Sequence, residues 1–459
     1  MRIVIVGAGE VGFAVARNLS QDGHDIVLVE EDAERAAKAE GELDVMVVRG
    51  NGARPNVLEK AGITPDSSVE MLIACSSRDE VNILACWIAK KMGVRRVISR
   101  AVGLEFTDID SSWSSDLGID LMVSPERSVA REVEDLLETR GAVHSTEIDD
   151  KAGIYAFRIA AGSPADGQSL LQIRQNNPKL ITIVVYVVRG ESGFIPRAND
   201  VLREGDLCYS FCYLDQIREI AHLYQPASSG RLKKVFIVGA GKVGFQTAQL
   251  LLRRVRGVDI RIVDRDREKC RRLAAELPKA TILWGDGADD ELLAQEGVAA
   301  ADGFVSTTES DEVNLILAAQ AHFLGAKKSV AVVRRRNFAR IAEHLPVDAV
   351  VNRNEALSSV IISSVRYAGQ ANMLAIFDRI GAETVQVTVR EDSPAVGVEL
   401  KDLALPAGAL LGLVRRGDRK SGVFIPTGNF QLQAGDKAFV FATLDVVDEA
   451  LALLGAGTS

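Results

Sequence analysis

Short runs of β-branched residues alternate with longer amphipathic stretches from the first residues onward. In Arg2-Ile-Val-Ile-Val-Gly-Ala-Gly-Glu-Val-Gly12 an apolar strand (Ile3 to Val6) runs into a glycine turn (Gly7 to Gly12). The apolar spacing from Val11 to Leu19 predicts a helix, and Asp25 to Val29 predicts a second strand ending at Glu30. The same order returns at Lys234-Val-Phe-Ile-Val-Gly-Ala-Gly-Lys-Val-Gly244, 232 positions later. Its strand is Val235 to Val238 and its turn Gly239 to Gly244, followed by a helix through Leu252 and a strand from Asp259 to Val263 ending at Asp264. Both copies pass through a third strand into a glycine turn, Gly50-Asn51-Gly52 and Gly285-Asp286-Gly287. Both then reach a helix that begins Asp-Glu-Val-Asn, at Asp79 and at Asp311, and a further strand ending at Arg100 and, by alignment, at Arg334. Strands alternating with helices at this spacing predict a parallel, doubly wound sheet in each half.

A smaller unit recurs with an offset of 230. Ser163-Pro164 matches Ser393-Pro394, Phe194-Ile-Pro196 matches Phe424-Ile-Pro426, and Gly205-Asp206 matches Gly435-Asp436. Short alternating strands with turn signals predict a small α+β module for contacts rather than chemistry. The longest apolar run, Leu180 to Val188, lies in it and predicts a buried strand. Gln225 to Gly230 reads as a linker, so the order is A-B-A-B. The expected boundaries are 1–141, 142–225, a linker at 226–231, 232–375 and 376–459.

Composition narrows the function. A net charge of −9 lacks the basic face that nucleic acid requires. No apolar run approaches the roughly 20 residues of a membrane span, and Met1 leads directly into the first strand, leaving no room for a signal peptide. The five cysteines show no ligand spacing and read as reduced packing residues in a cytoplasmic chain.

The glycine turns carry the candidate chemistry. Gly7 permits the tight bend, Gly9 lets backbone approach a diphosphate, and Gly12 allows close packing of helix on strand; Gly239, Gly241 and Gly244 repeat the set. The helix that follows offers free amides and a partial positive charge to phosphates. Glu30 and Asp264 stand where a carboxylate accepts from an adenosine ribose and repels a 2′-phosphate, favouring NAD or an adenine nucleotide over NADP. Asn51 and Asp286 lie at the edge of the same crevice or serve turn chemistry alone. Ser76, Ser77 and Thr308 precede the Asp-Glu-Val-Asn helices as ligand contacts or caps, and Arg100 and Arg334 are candidates for phosphate oxygens. A Tyr-x-x-x-Lys pair and a Walker-type phosphate loop are absent, and the five histidines occupy no duplicated positions. Duplicated nucleotide crevices without proton-transfer groups point to a sensor; the alternative is an NAD-dependent oxidoreductase whose proton-transfer group is not recognisable.

With these motifs and the A-B-A-B order, the whole chain resembles the TrkA family, peripheral NAD-binding subunits of bacterial Trk potassium-uptake systems. The resemblance implies two Rossmann-like RCK N-terminal (KTN) domains alternating with two TrkA C-terminal domains, and a non-enzymatic role. It implies that NAD or NADH, with ATP or ADP as alternatives, binds Gly7, Ala8, Gly9, Glu10, Val11, Gly12, Glu30, Ser76, Ser77 and Arg100. In the second copy the corresponding residues are Gly239, Ala240, Gly241, Lys242, Val243, Gly244, Asp264, Thr308 and Arg334. Gly-Asn-Gly at Gly50 and Ser76-Ser77 depart from the family's usual Gly-Asp-Gly and Thr-Asn. It further implies a homo-oligomeric ring (dimer or tetramer) on the cytoplasmic face of the inner membrane, gating a potassium-translocating subunit of the TrkH/TrkG type. Crossover helices around 126–140 and 355–367 would pair the domains.

Overall fold

The structure is a computed structural model. It describes residues 1–66, 68–101, 116–139, 141–147, 151–190, 192–225, 232–342, 344–354, 361–362, 365, 371–377, 381–417 and 422–455. Most of the second expected crossover helix, 355–367, lies outside them.

The first sheet contains β1 (Arg2–Val6), β2 (Asp25–Glu30), β3 (Met46–Arg49), β4 (Val69–Ala74), β5 (Arg96–Arg100) and β6 (Leu121–Val123). Its strands are parallel, in the order β3-β2-β1-β4-β5-β6. Ile3, Val4, Ile5 and Val6 are all buried, as a strand covered on both faces requires. Next come β7 (Ala142–Glu147), β8 (Ala152–Arg158), β9 (Thr182–Arg189), β10 (Ser192–Phe194) and β11 (Leu207–Tyr213), an antiparallel sheet ordered β10-β9-β11-β8-β7.

The second half repeats both sheets. The parallel one holds β12 (Lys234–Val238), β13 (Asp259–Asp264), β14 (Thr281–Trp284), β15 (Gly303–Ser306), β16 (Ser329–Val333) and β17 (Ala349–Asn352), ordered β14-β13-β12-β15-β16-β17. The antiparallel one holds β18 (Ala371–Phe377), β19 (Ala382–Thr388), β20 (Ala409–Arg415), β21 (Val423–Phe424) and β22 (Lys437–Thr443), ordered β18-β19-β22-β20-β21. Strand for strand, the order of each sheet matches its counterpart. The cysteines are free and buried, with Cys208 and Cys212 on β11. No helix among the described residues is long and apolar enough to cross a membrane.

The chain forms two compact units that exchange segments. One comprises 1–128 with 353–365, the other 129–352 with 366–459. In the first, Arg353 pairs with the buried carboxylate of Glu126, and Ile361, Ile362 and Val365 are buried. In the second, the C-terminal part of helix Pro125–Glu138 lies on the second parallel sheet. A Cβ on Gly303 would stand 2.4 Å from Leu137 Cδ2, so contact there needs glycine. The buried Lys328 ammonium donates to the carbonyls of Leu136, Thr139 (3.0 Å) and Ala142 (2.7 Å). It meets the Leu136 and Thr139 carbonyls at the negative end of that helix and ties them to the start of β7 through Ala142.

The two antiparallel modules share a core in the second unit, where Tyr186, Phe211, Leu413, Phe439 and Phe441 meet. The Tyr213 hydroxyl donates to the Val423 carbonyl (2.8 Å) and accepts from the Ile425 amide (3.1 Å). The recurring Gly-Asp pairs are explained by buried ion pairs. Asp206 accepts from Arg189 Nε and Nη2 at 2.8 and 2.6 Å, and Asp436 from Arg416 at 2.8 and 2.7 Å. Each arginine also lies over a phenylalanine ring, Phe194 or Phe430.

Two stability measurements follow from these contacts. Asp436→Asn leaves a partly buried guanidinium short of charge compensation and should cost about 2–3 kcal/mol in chemical denaturation, since breaking a fully buried pair costs about 3–5. Burial pushes the Asp302 carboxyl up, but the Lys327 ammonium and the amides of Lys233 and Lys234 outweigh it and hold it below the usual carboxylate range. A depressed folded-state pKa stabilises in full above the unfolded value of about 3.9 and is lost as pH falls through the folded value. Asp302→Asn should therefore lower the thermal midpoint at neutral pH, the deficit shrinking in acid below about pH 4.

Candidate functional site: two glycine-turn crevices

The helices after β1 and β4 leave a crevice at the carboxyl ends of these neighbouring strands, the place where open α/β sheets bind ligands. Gly7 and Gly239 have φ of +101° and +113°, which glycine alone adopts without strain. A Cβ on Gly7 would lie 2.8 Å from the Ser76 amide nitrogen, and one on Gly239 2.6 Å from the Thr307 carbonyl oxygen. On Gly12 and Gly244 it would fall 1.9 and 2.0 Å from the carbonyl oxygens of Gly7 and Gly239. The middle glycines differ. Gly9 meets only Arg35 Nη1, at 3.9 Å, and Gly241 meets nothing within 4 Å. The outer glycines serve packing, while the middle one borders open space.

Gly9 and Gly241 are the N-caps of helices Glu10–Gln21 and Lys242–Arg254, and neither helix has a side-chain cap. Helices Ala33–Glu42 and Arg267–Glu276, by contrast, are capped by Asp32 and Asp266. The first-turn amides over each glycine turn thus remain available to an anion. Ala8, Ala240, Val11 and Val243 are buried, whereas Glu10 and Lys242 are exposed at the first helical position.

Glu30 and Asp264 have a task beyond the one read from sequence. Glu30 accepts from the amides of Ala8 (2.5 Å) and Asp32 (2.9 Å), and Asp264 from those of Ala240 (2.6 Å) and Asp266 (2.8 Å). Each carboxylate ties its strand end to the glycine turn, and each oxygen keeps a lone pair for a ribose hydroxyl. Asn51 and Asp286 close their turns by accepting from the amides of Ala53 and Ala288, both at 2.9 Å. Asn51 also donates to Glu31 (3.3 Å), and Arg265 donates to Asp286 (2.6 Å). The Ala288 amide and then Arg265 hold the Asp286 carboxyl below its ordinary range. A Cβ on Gly52 or Gly287 would lie 2.3 or 2.2 Å from Val6 or Val238 Cγ1, so this third turn is pressed onto the end of the central strand.

The asparagine of each Asp-Glu-Val-Asn segment is a structural clamp that sequence reasoning passed over. Buried Asn82 accepts from the Ser76 amide (2.8 Å) and donates to the carbonyls of Ser76 and Arg100 (both 3.0 Å). Buried Asn314 accepts from the Thr308 amide (2.7 Å) and donates to the carbonyls of Thr308 (3.1 Å) and Val332 (2.7 Å). The signal was its duplication at the fourth position of both helices. Ser76, Ser77 and Thr308 do not supply caps: Ser310 caps the second helix by accepting from the Val313 amide, and the first has no side-chain cap. Ser77 is exposed.

The clamp also corrects an alignment. Asn82 reaches Arg100 where Asn314 reaches Val332, so Val332, not Arg334, is the counterpart of Arg100. Arg100 Nη1 lies 3.4 Å from the Ser76 carbonyl oxygen at the first crevice. Arg334 instead pairs with Asp311 through Nε (3.5 Å) and bonds the Glu309 carbonyl. Burial pushes Asp311 up, but the amides of Arg335 and Arg334 and the Arg335 guanidinium hold its carboxyl low. Its negative charge keeps Arg334 at the helix start rather than across the crevice.

Known proteins share this layout. The TrkA-N domain matches residues 3–125 and 235–353, and the TrkA-C domain matches 384–455. The sheet β7–β11 has the strand order of the matched C-terminal module. The chain is similar to the Trk system potassium uptake protein TrkA homolog of Archaeoglobus fulgidus, 31% identical over 98% of this chain and 99% of that protein. It is also 31% identical to the Trk system potassium uptake protein TrkA of Azorhizobium caulinodans, over 97% and 96% of the two chains. Among solved structures it shares the fold of the GsuK RCK domain (TM-score 0.62, 19% identity, 98% and 95% coverage) and of the GsuK channel bound to NAD (0.61, 19%, 98% and 79%). Duplicated glycine turns, strand-end acids and asparagine clamps thus agree with end-to-end similarity: the chain belongs to the TrkA family.

Proposed function

We propose that this chain is a nucleotide-sensing regulatory subunit that gates a membrane potassium-uptake channel or transporter. The observation that carries it is the pair of open middle glycines at uncapped helix N-termini, each beside an acid already tied to its turn. An adenine dinucleotide fits this chemistry: diphosphate on the first-turn amides, ribose on Glu30 or Asp264. NAD or NADH is the ligand class, with ATP or ADP as alternatives at the same residues; relatives of the fold have been solved with NAD and with ADP. The chain carries no Tyr-x-x-x-Lys pair, which supports binding without turnover. The partner is a potassium-translocating membrane subunit of the TrkH/TrkG type, met at the cytoplasmic face of the inner membrane by a ring of RCK domains from a homo-oligomer. The four-part division proposed from sequence, with boundaries near 141, 225, 231 and 375, serves this role. Its Rossmann-like parts hold ligand and its antiparallel modules pack on one another.

Binding and physiology test this reading. Purified protein should bind NADH and adenine nucleotides without consuming them, as followed by calorimetry and by absorbance of the reduced cofactor. Glu30→Ala or Asp264→Ala should weaken its own crevice about tenfold or more, the scale of hydrogen bonds to a charged group. A deletion strain lacking any paralogue should lose regulated potassium uptake; normal potassium-limited growth would count against the reading. Substrate-dependent NADH oxidation abolished by Gly9→Asp would replace it with an oxidoreductase.

A further inference from the structure

We propose that the two crevices divide nucleotides by charge and length. The first takes a dinucleotide, and the second takes a nucleoside di- or triphosphate. This rests on the reading of both crevices as nucleotide sites. The diphosphate of NAD is a diester with one charge per phosphate, whereas the terminal phosphate of ADP or ATP is a monoester bearing about two near neutral pH.

The copies share their glycines, clamps and strand-end acids, and differ in side chains around the space left open. At the first helical position, against the amides that would receive phosphate, the first copy places Glu10 and the second Lys242. The Glu10 carboxylate accepts from Asn354 Nδ2 at 2.8 Å. That partner is a neutral amide, so the negative charge stays at the helix terminus. Lys242 has no ion pair among the described residues, and its charge adds to that of the helix N-terminus. Arg35 and Lys269 stand at equivalent positions in the two capped second helices. Arg35 Nη1 comes within 3.9 Å of a Cβ on Gly9 and offsets part of the Glu10 charge, whereas Lys269 pairs with Glu309 at 3.9 Å. The Glu10–Lys242 difference at the amides themselves carries the contrast. After the strand-end acid, the first copy has Glu31, paired with Arg78 at 3.7 Å, and the second Arg265, clamped on Asp286, so each of these charges is met locally.

The far lips differ in the opposite sense. A dinucleotide continues past its diphosphate toward the ends of the fourth and fifth strands. There the first crevice has Arg100 beside Ser76 and Ser77, and Arg100 Nε is enclosed without a hydrogen-bond partner. The second crevice has Val332 at that position, and its nearest arginine, Arg334, is drawn onto Asp311. The Thr308 hydroxyl is already bonded to Asn314 at 2.7 Å. The first crevice is thus lined for a longer ligand, the second for a more highly charged one.

Calorimetric titration of the full chain with NADH and ATP tests this in variants that block one crevice at a time. Gly9 and Gly241 have ordinary backbone angles and room for a side chain. Gly9→Asp or Gly241→Asp therefore places a carboxylate where phosphate docks while leaving the fold intact, as the unfolding midpoint will check. The first crevice, isolated by Gly241→Asp, should prefer NADH, and the second, isolated by Gly9→Asp, should prefer ATP. Adding Glu10→Lys to the former should raise ATP affinity on the order of tenfold, and adding Lys242→Glu to the latter should lower it similarly, with smaller changes for NADH. Should an aspartate variant unfold, the exposed charge reversals in the otherwise unchanged protein give the same shifts in ATP affinity. Equal NADH-to-ATP preference in both crevices, or preference unmoved by charge reversal, overturns the division and leaves nucleotide sensing standing. A folded protein that binds neither ligand overturns both.

Discussion

Where two neighbouring parallel strands send their helices to opposite faces, the sheet opens, and backbone groups at the opening lose their partners. Everything at this protein's sites depends on how those groups are satisfied. Asn82 and Asn314 bridge the ends of the fourth and fifth strands of their sheets, each accepting from one backbone amide and donating to two backbone carbonyls. Glu30 and Asp264 take the amide of the residue after the first glycine. With those groups bonded internally, the first-turn amides of the following helix are the ones left over, and they face the opening. The crevice is where uncapped helix amides remain beside internally bonded ones.

Duplication separates scaffold from specificity without any alignment of relatives. Residues whose alteration would collide with backbone or orphan a buried group are the same in both halves, or nearly so: the outer glycines, the asparagine clamps and the acids. Exposed residues at the opening have diverged, as Glu10 and Lys242 show. The antiparallel modules follow the same rule. Their Asp–Arg pairs are conserved between copies because each aspartate is buried and needs its guanidinium, while the surrounding turns differ.

Much of this was legible in the chain. Apolar runs and glycine turns located the parallel strands and both crevices because burial on two faces and close backbone approach each demand specific residue types. The clamp was harder to see. Asn82 bonds backbone six and eighteen residues away, and backbone partners leave no mark in sequence. Arg334 was aligned with Arg100 by residue type, yet strand register places Val332 there; register is a property of paired strands that one strand's composition does not encode. The exchange of segments was equally hidden. Apolar spacing in 125–138 shows that a helix has a face to bury, not which sheet will bury it.

That exchange has a consequence for the order in which the molecule comes into being. Residues 353–365 complete the unit that begins at residue 1, yet they are synthesised more than two hundred positions after residue 128. At translation speeds of about 5–20 residues per second, Glu126 waits on the order of ten to fifty seconds for Arg353. During that interval the Glu126 carboxylate, buried in the finished unit, lacks its Arg353 guanidinium. The duplicated architecture thus ties completion of the first unit to the ribosome's pace.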